Sequence, residues 1–169
     1  MSRPYYFTAR GLERLRARVR AARAAYREVC DDNPAALESG DSSGWHDNFA
    51  FEENQRQMHQ LARHVRDLEA TLSRARVVPS WTTAPDAAYL GTSIVYRFVD
   101  EAQTRSAWIA GWDDGDPESG RLSYNSPLGA SLLGAAPGDE REVTLGGVVR
   151  RLELIEVGPT PPDEQCPGA

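Results

Sequence analysis

The chain has 169 residues, enough for one ordinary domain or two small ones, and its 40% hydrophobic and 26% charged content is typical of a folded, soluble protein. No apolar run approaches the roughly 20 residues that span a bilayer, and the opening MSRPYYFTARG lacks a basic end followed by an apolar core, which argues against membrane insertion and secretion and for a cytoplasmic location. The net charge of -6 is uneven: residues 1–76 carry thirteen Arg against eleven acids and residues 77–169 six Arg against fourteen, so the second half repels phosphate and suits a protein partner.

From Leu12 the apolar positions fall at Leu12, Leu15, Val19, Ala22, Tyr26 and Val29, with alternating spacings of three and four that describe a coiled-coil seam. Asp31-Asp32-Asn33-Pro34 predicts a break, and a polar stretch rich in Ser and Gly follows. A second seam runs through Phe51, Met58, Leu61, Val65, Leu68, Leu72 and Ala75. Each seam is too narrow to form a core alone, and the short connection makes antiparallel pairing the simplest way to bury both. Residues 1–79 are therefore expected to form a helical hairpin with its tip near 37–48. The arginines on the first helix, together with His59 and His64, read as its solvated face. Cys30 and Cys166 give neither a disulfide framework nor a CxxC metal site.

Pro79 is expected to end the second helix, with 80–87 as a linker and 88–157 as a β-rich domain. Strands are predicted over Ser93–Val99, Arg105–Trp112, Arg121–Tyr124, Glu140–Leu145 and Val148–Val157, with a turn at Asp113–Asp116, a short helix at Leu128–Leu133 and a hairpin turn at Gly146-Gly147. Residues 158–169 are dense in Pro and Gly and read as a disordered tail. The fold class is α+β.

Taken alone, Asp41 is a plausible cap or dipole partner for the second helix. Ser126-Pro127 has the chemistry of a helix start. His46 and Asp47 lack the further converging ligands that zinc requires.

Two stretches give this order of elements a specific resemblance. Gly40-Asp41-Ser42-Ser43-Gly44-Trp45-His46-Asp47-Asn48 lies where the Gre (GreA/GreB) transcript cleavage factors carry an acidic tip, and Ser123 to Asp139 looks like that family's NSPxxxALxGxxxGD motif. The resemblance implies an FKBP-like fold for the second domain. It also implies a monomer that binds bacterial RNA polymerase at the secondary-channel rim, against the β′ subunit, with Asn125, Ser126 and Pro127 in the docking loop. The hairpin would carry its tip toward the polymerase active site.

There Asp41 would assist a Mg²⁺ shared with the polymerase, the factor having no cofactor of its own. The family's second tip acid is replaced here by Gly44, with Asp47 the nearest substitute. Ser42, Ser43, Gly44, Trp45 and His46 would be tip contacts, with Trp45 placed to meet backtracked RNA or nearby protein. The implied function is regulation of elongation without independent catalysis, by stimulating cleavage of backtracked RNA through Asp41 or by inhibiting catalysis. The rival readings are a prolyl isomerase or chaperone built on the FKBP-like domain, and a coiled-coil adaptor.

Overall fold

The computed structural model describes residues 3–38 and 46–164, with side chains described for 3–31 and 52–164. In chain order the elements are β1 (Tyr5–Phe7), α1 (Ala9–Glu38), α2 (His46–Ser73), β2 (Ala75–Val77), β3 (Ser93–Phe98), β4 (Thr104–Ala110), β5 (Arg121–Ser123), α3 (Pro127–Leu132), β6 (Glu140–Leu145) and β7 (Val148–Gly158). The architecture is α+β, as the patterning predicts. No described helix is long and apolar enough to cross a membrane.

The chain divides into two compact units, Leu15–Arg74 and a second one made of residues 1–14 with 75–169. In the helical unit the two predicted seams turn inward: Leu15, Val19, Ala22 and Leu68 are buried. The helices run antiparallel. Arg23 Nε donates to Glu69 Oε1 at 2.8 Å, and three residues further along α1 the phenol of Tyr26 feels Arg66, three residues back along α2. His59 and His64 are exposed, as expected of polar positions off the seam.

One expectation fails here. α1 does not stop at Asp31–Pro34 but continues to Glu38. An internal proline removes one backbone hydrogen bond and bends a helix, but the strong helix formers Ala35, Ala36 and Leu37 that follow let it resume.

The second unit holds a five-stranded sheet in the order β5-β4-β3-β7-β6 and a separate parallel pair, β1 with β2. Alternation along β3 buries Ile94, Tyr96 and Phe98, and across the ladder Tyr96 faces Leu154 and Phe98 faces Leu152. The buried positions of β7 are Leu152, Leu154 and Val157, a spacing that strict alternation cannot give. A register shift opposite Val95/Tyr96 skips Ile155, which is exposed, and returns Val157 to the core. Leu132 of α3 and Ile109 of β4 complete this core, both fully buried.

The predicted strands and short helix agree with the observed ones to within one or two residues. The turn at Gly146-Gly147 joins β6 to β7 with both glycines at positive φ.

The expected boundaries at 79, 87 and 157 need correction. Residues 1–14 belong with the β-rich unit because β1 pairs with β2, and Val78 N–H donates to Phe7 O at 2.9 Å. Helix α2 ends at Ser73 and not at Pro79, since Ala75–Val77 pair as a strand. The linker is held: Trp81 Nε1 donates to Leu90 O at 3.0 Å, and Trp81 exchanges hydrogen bonds with Thr160. Hence the segment after β7 is packed as far as Glu164. Ser93 N–H donates to Pro159 O at 3.2 Å, Thr160 is 1% exposed and Glu164 is buried. The Thr160 side chain, backbone hydrogen bonds and the paired carboxylate of Glu164 anchor a stretch whose composition alone reads as disorder.

The turn between β3 and β4 is locked from β7. Arg150 donates to Asp100 at 2.8 Å and to Glu101 at 2.7 Å, with its guanidinium 3.8 Å over the Phe98 ring. Those hydrogen bonds hold both carboxyls below the ordinary carboxylate range. A carboxyl whose pKa is depressed on folding contributes stability above its unfolded value, and that contribution is lost as the pH falls through the folded one. Melting temperature should therefore decline on acidification through and below the ordinary carboxylate range, and decline less in Arg150→Ala. Equal declines measured by thermal melts across that range would refute the assignment.

Candidate functional site

Of the residues expected at the hairpin tip, Asp41, Ser42, Ser43, Gly44 and Trp45 lie outside the described residues. His46 and Asp47 open α2, so Asp47 falls in a helical first turn, where a carboxylate is favoured by the helix dipole. Their side chains lie outside the described set. Among the described residues no three His, Cys, Asp or Glu side chains converge as a metal site.

The three residues expected in the docking loop form a compact structure in the β-rich unit. Ser126 is the N-cap of α3, with φ -71° and ψ 154°: its Oγ accepts from Gly129 N–H at 3.1 Å, and Pro127 occupies the first helical position. The same hydroxyl donates back to Ser123 O at 2.7 Å. Ser126-Pro127 starts a helix, as the sequence predicts. Gly129 packs so closely on the preceding strand that an ideal Cβ there would lie 2.1 Å from Ser123 O.

Asn125 is exposed, but its carboxamide oxygen is engaged within the unit. Its Oδ1 accepts from Asp113 N–H at 3.0 Å, and the hydroxyl of Ser123 also donates to it. Asp113 takes φ 50°, in the left-handed region, which Asp tolerates better than most side chains and which aims its amide at the loop. Ser123 Oγ also reaches Gly111 O at 2.7 Å, so the turn after β4 and the loop after β5 are stitched together.

Sequence reasoning missed the aromatic wall beside this loop. Tyr5 packs on Trp112 with ring centroids 4.4 Å apart and planes tilted by 40°, Trp112 meets Tyr124 edge-on at 6.0 Å, and Tyr6 N–H donates to the Tyr124 hydroxyl at 3.3 Å. Burial pushes the Tyr124 phenol up. The available signal was the run Tyr5-Tyr6-Phe7. In the same unit, Arg14 grips Asp114 and Glu164 together.

The aromatics that an isomerase pocket would need are dispersed. Tyr96, Phe98 and Trp108 are buried, Trp112 and Tyr124 belong to the wall, and Tyr89 stacks on Trp81 at 5.4 Å.

Comparison with known proteins identifies the surroundings of this loop. The family model described as transcription elongation factor, GreA/GreB, C-terminal, matches residues 83–159. A transcription elongation factor GreA of Chloroflexus aurantiacus is 30% identical over 156 residues, covering 92% of this chain and 98% of that one. The GreA of Sphingopyxis alaskensis is 32% identical over 152 residues, covering 87% and 94%. The crystal structure of Thermus aquaticus Gfh1 aligns over 92% of this chain and 99% of its own, at 20% identity and a TM-score of 0.43.

Proposed function

The chain belongs to the GreA/GreB family of transcription elongation factors, and from that premise we propose that it binds bacterial RNA polymerase at the rim of the secondary channel through the loop Asn125–Pro127. The observation that supports this reading is the loop itself, pre-shaped by internal hydrogen bonds within an acidic unit. A loop ordered before binding loses little conformational entropy on docking. The antiparallel hairpin suits the rest of the role, since α1 has 30 residues and a helix of that length extends about 45 Å.

The protein acts as a regulator of the polymerase's own chemistry, working as a monomer in the cytoplasm. Asp41 is the tip's working carboxylate. A Mg²⁺ bound in the polymerase supplies Lewis acidity and an activated water for hydrolysis of backtracked RNA. Asp41 offers that ion the hard oxygen ligand it prefers. Gly44, three residues on, has no side chain with which to ligate or take a proton. That absence favours a second reading, in which the tip enters the channel and obstructs nucleotide addition, with Trp45 packing on nucleic acid or protein there.

One experiment separates the two. The purified protein is added to a stalled, backtracked complex of its own polymerase with Mg²⁺, and the labelled RNA is followed beside an Asp41→Ala variant. The cleavage reading expects RNA shortening that falls about 100-fold or more in the variant. Unchanged shortening would sink it. The obstruction reading expects slower nucleotide addition that vanishes when residues 41–47 are deleted, and persistence of the inhibition in that deletion would sink it in turn.

A further inference from the structure

We infer that Asn125 is a positioning residue that shapes the docking loop from within, leaving the exposed face around Pro127 to make the polymerase contact. This rests on the docking role proposed above and assigns a division of labour inside it. Two donors converge on one atom of the Asn125 side chain, the Asp113 amide at 3.0 Å and the Ser123 hydroxyl. A backbone N–H can only donate, so the atom receiving it must be the carboxamide oxygen, which settles the orientation of the amide.

That oxygen is therefore engaged by bonds within the chain. It bridges the turn after β4 to the strand before α3, joining segments twelve residues apart in sequence. Ser126 is committed in the same way, accepting from Gly129 N–H and donating to Ser123 O. Asn125 and Pro127 are both exposed, but of the three loop residues only Pro127 keeps its side chain out of these bonds and so presents a surface with no internal task.

The chemistry predicts which substitution is tolerated. Asn125→Asp keeps an acceptor at the bridging position and strengthens it with charge, whereas Asn125→Ala removes it and leaves the Asp113 amide to find water, while the Ser123 hydroxyl keeps Gly111 O. If Asn125 instead touched the polymerase through its amide NH₂, aspartate would fail as badly as alanine.

The test uses the full chain and two readouts. Hydrogen exchange follows the Asp113 amide without polymerase, and binding to the core polymerase is measured separately, with Pro127→Ala alongside. The expected result is that Asn125→Ala speeds Asp113 exchange and weakens binding, each about tenfold, the effect of losing about 1.4 kcal/mol of hydrogen bonding. Asn125→Asp should restore both to within about threefold, and Pro127→Ala should weaken binding with Asp113 exchange unchanged. The inference is overturned if Asn125→Asp binds as poorly as Asn125→Ala while Asp113 stays protected, or if Asp113 exchange is indifferent to residue 125. Should the unaltered chain not bind polymerase at all, the docking role fails, and the exchange data alone decide whether Asn125 shapes the loop.

Discussion

Replacing Gly129 by alanine is expected to destabilise the β-rich unit by about 3 kcal/mol or more, at the upper end of what an overpacked site produces. The new methyl carbon would sit 2.1 Å from Ser123 O, 2.9 Å from the Ser123 carbonyl carbon and 3.1 Å from Ser126 Oγ. The first two obstacles are backbone, so no rotamer change relieves them. Either α3 lifts from the strand or β5 shifts.

If α3 lifts, Ser126 loses its cap contact with Gly129 N–H, and Leu132, fully exposed to no solvent in the native state, is withdrawn from the core. If β5 shifts, the parallel pairing of Ala110 with Ser123 is broken, and with it the hydroxyl that reaches Asn125. Both routes deform the loop proposed to dock, so under that proposal loss of stability and loss of polymerase binding should appear together. Denaturant unfolding of the purified variant measures the first. A change smaller than about 1 kcal/mol would mean that this close approach relaxes far more easily than packed backbone normally does.

The loop Asn125–Pro127 shows what a sequence discloses and what it withholds. Ser126 followed by Pro127 specifies a helix start through contacts within three residues, and that was readable. The strands of the sheet were likewise legible from alternation between turn signals. The strands Tyr5–Phe7 and Ala75–Val77 were not, because three residues carry no periodicity and the second directly follows a helix whose seam includes Ala75. Asp31–Pro34 misled for a related reason: proline's local preference was outweighed by the helix formers on either side.

The bond that engages the Asn125 carboxamide oxygen comes from Asp113, which adopts a left-handed φ, a conformation open to Asp but not announced by it. The segment after Gly158 misled because its composition argues for disorder, while the anchors that hold it lie on Trp81, Ser93 and Arg14, remote in sequence. Composition reports what a segment can do alone. It is silent about a pocket assembled by other segments.

Arg14 carries the second large effect, and its pairing was hidden by the same remoteness. On the first helix it reads as one more solvated arginine, yet its guanidinium is shared by two carboxylates that lie 100 and 150 residues away. Nε and Nη2 donate to Asp114 at 2.8 and 2.6 Å, and Nη1 and Nη2 to Glu164 at 2.9 and 3.1 Å. The Asp114 and Glu164 side chains are only 9% and 12% exposed, so water cannot replace the lost partner fully.

Arg14→Ala should therefore destabilise the unit by about 3 kcal/mol, the lower end for breaking a desolvated ion pair by removing one partner, since the arginine itself keeps some solvent contact. Arg14→Lys keeps the charge but not the planar fork that serves both acids, and should recover only part of the loss. Glu164→Gln should be milder, because Asp114 still neutralises the guanidinium.

The two changes should not add. Once Arg14 is alanine, removing the charge of Glu164 relieves a buried, unpaired carboxylate, so the double variant should be no less stable than Arg14→Ala alone. Unfolding free energies of the two single variants and the double decide the matter. Simple additivity would show that Arg14 and Glu164 act independently despite their 2.9 Å contact, and the segment after β7 would then owe its placement to Thr160 and its backbone bonds instead.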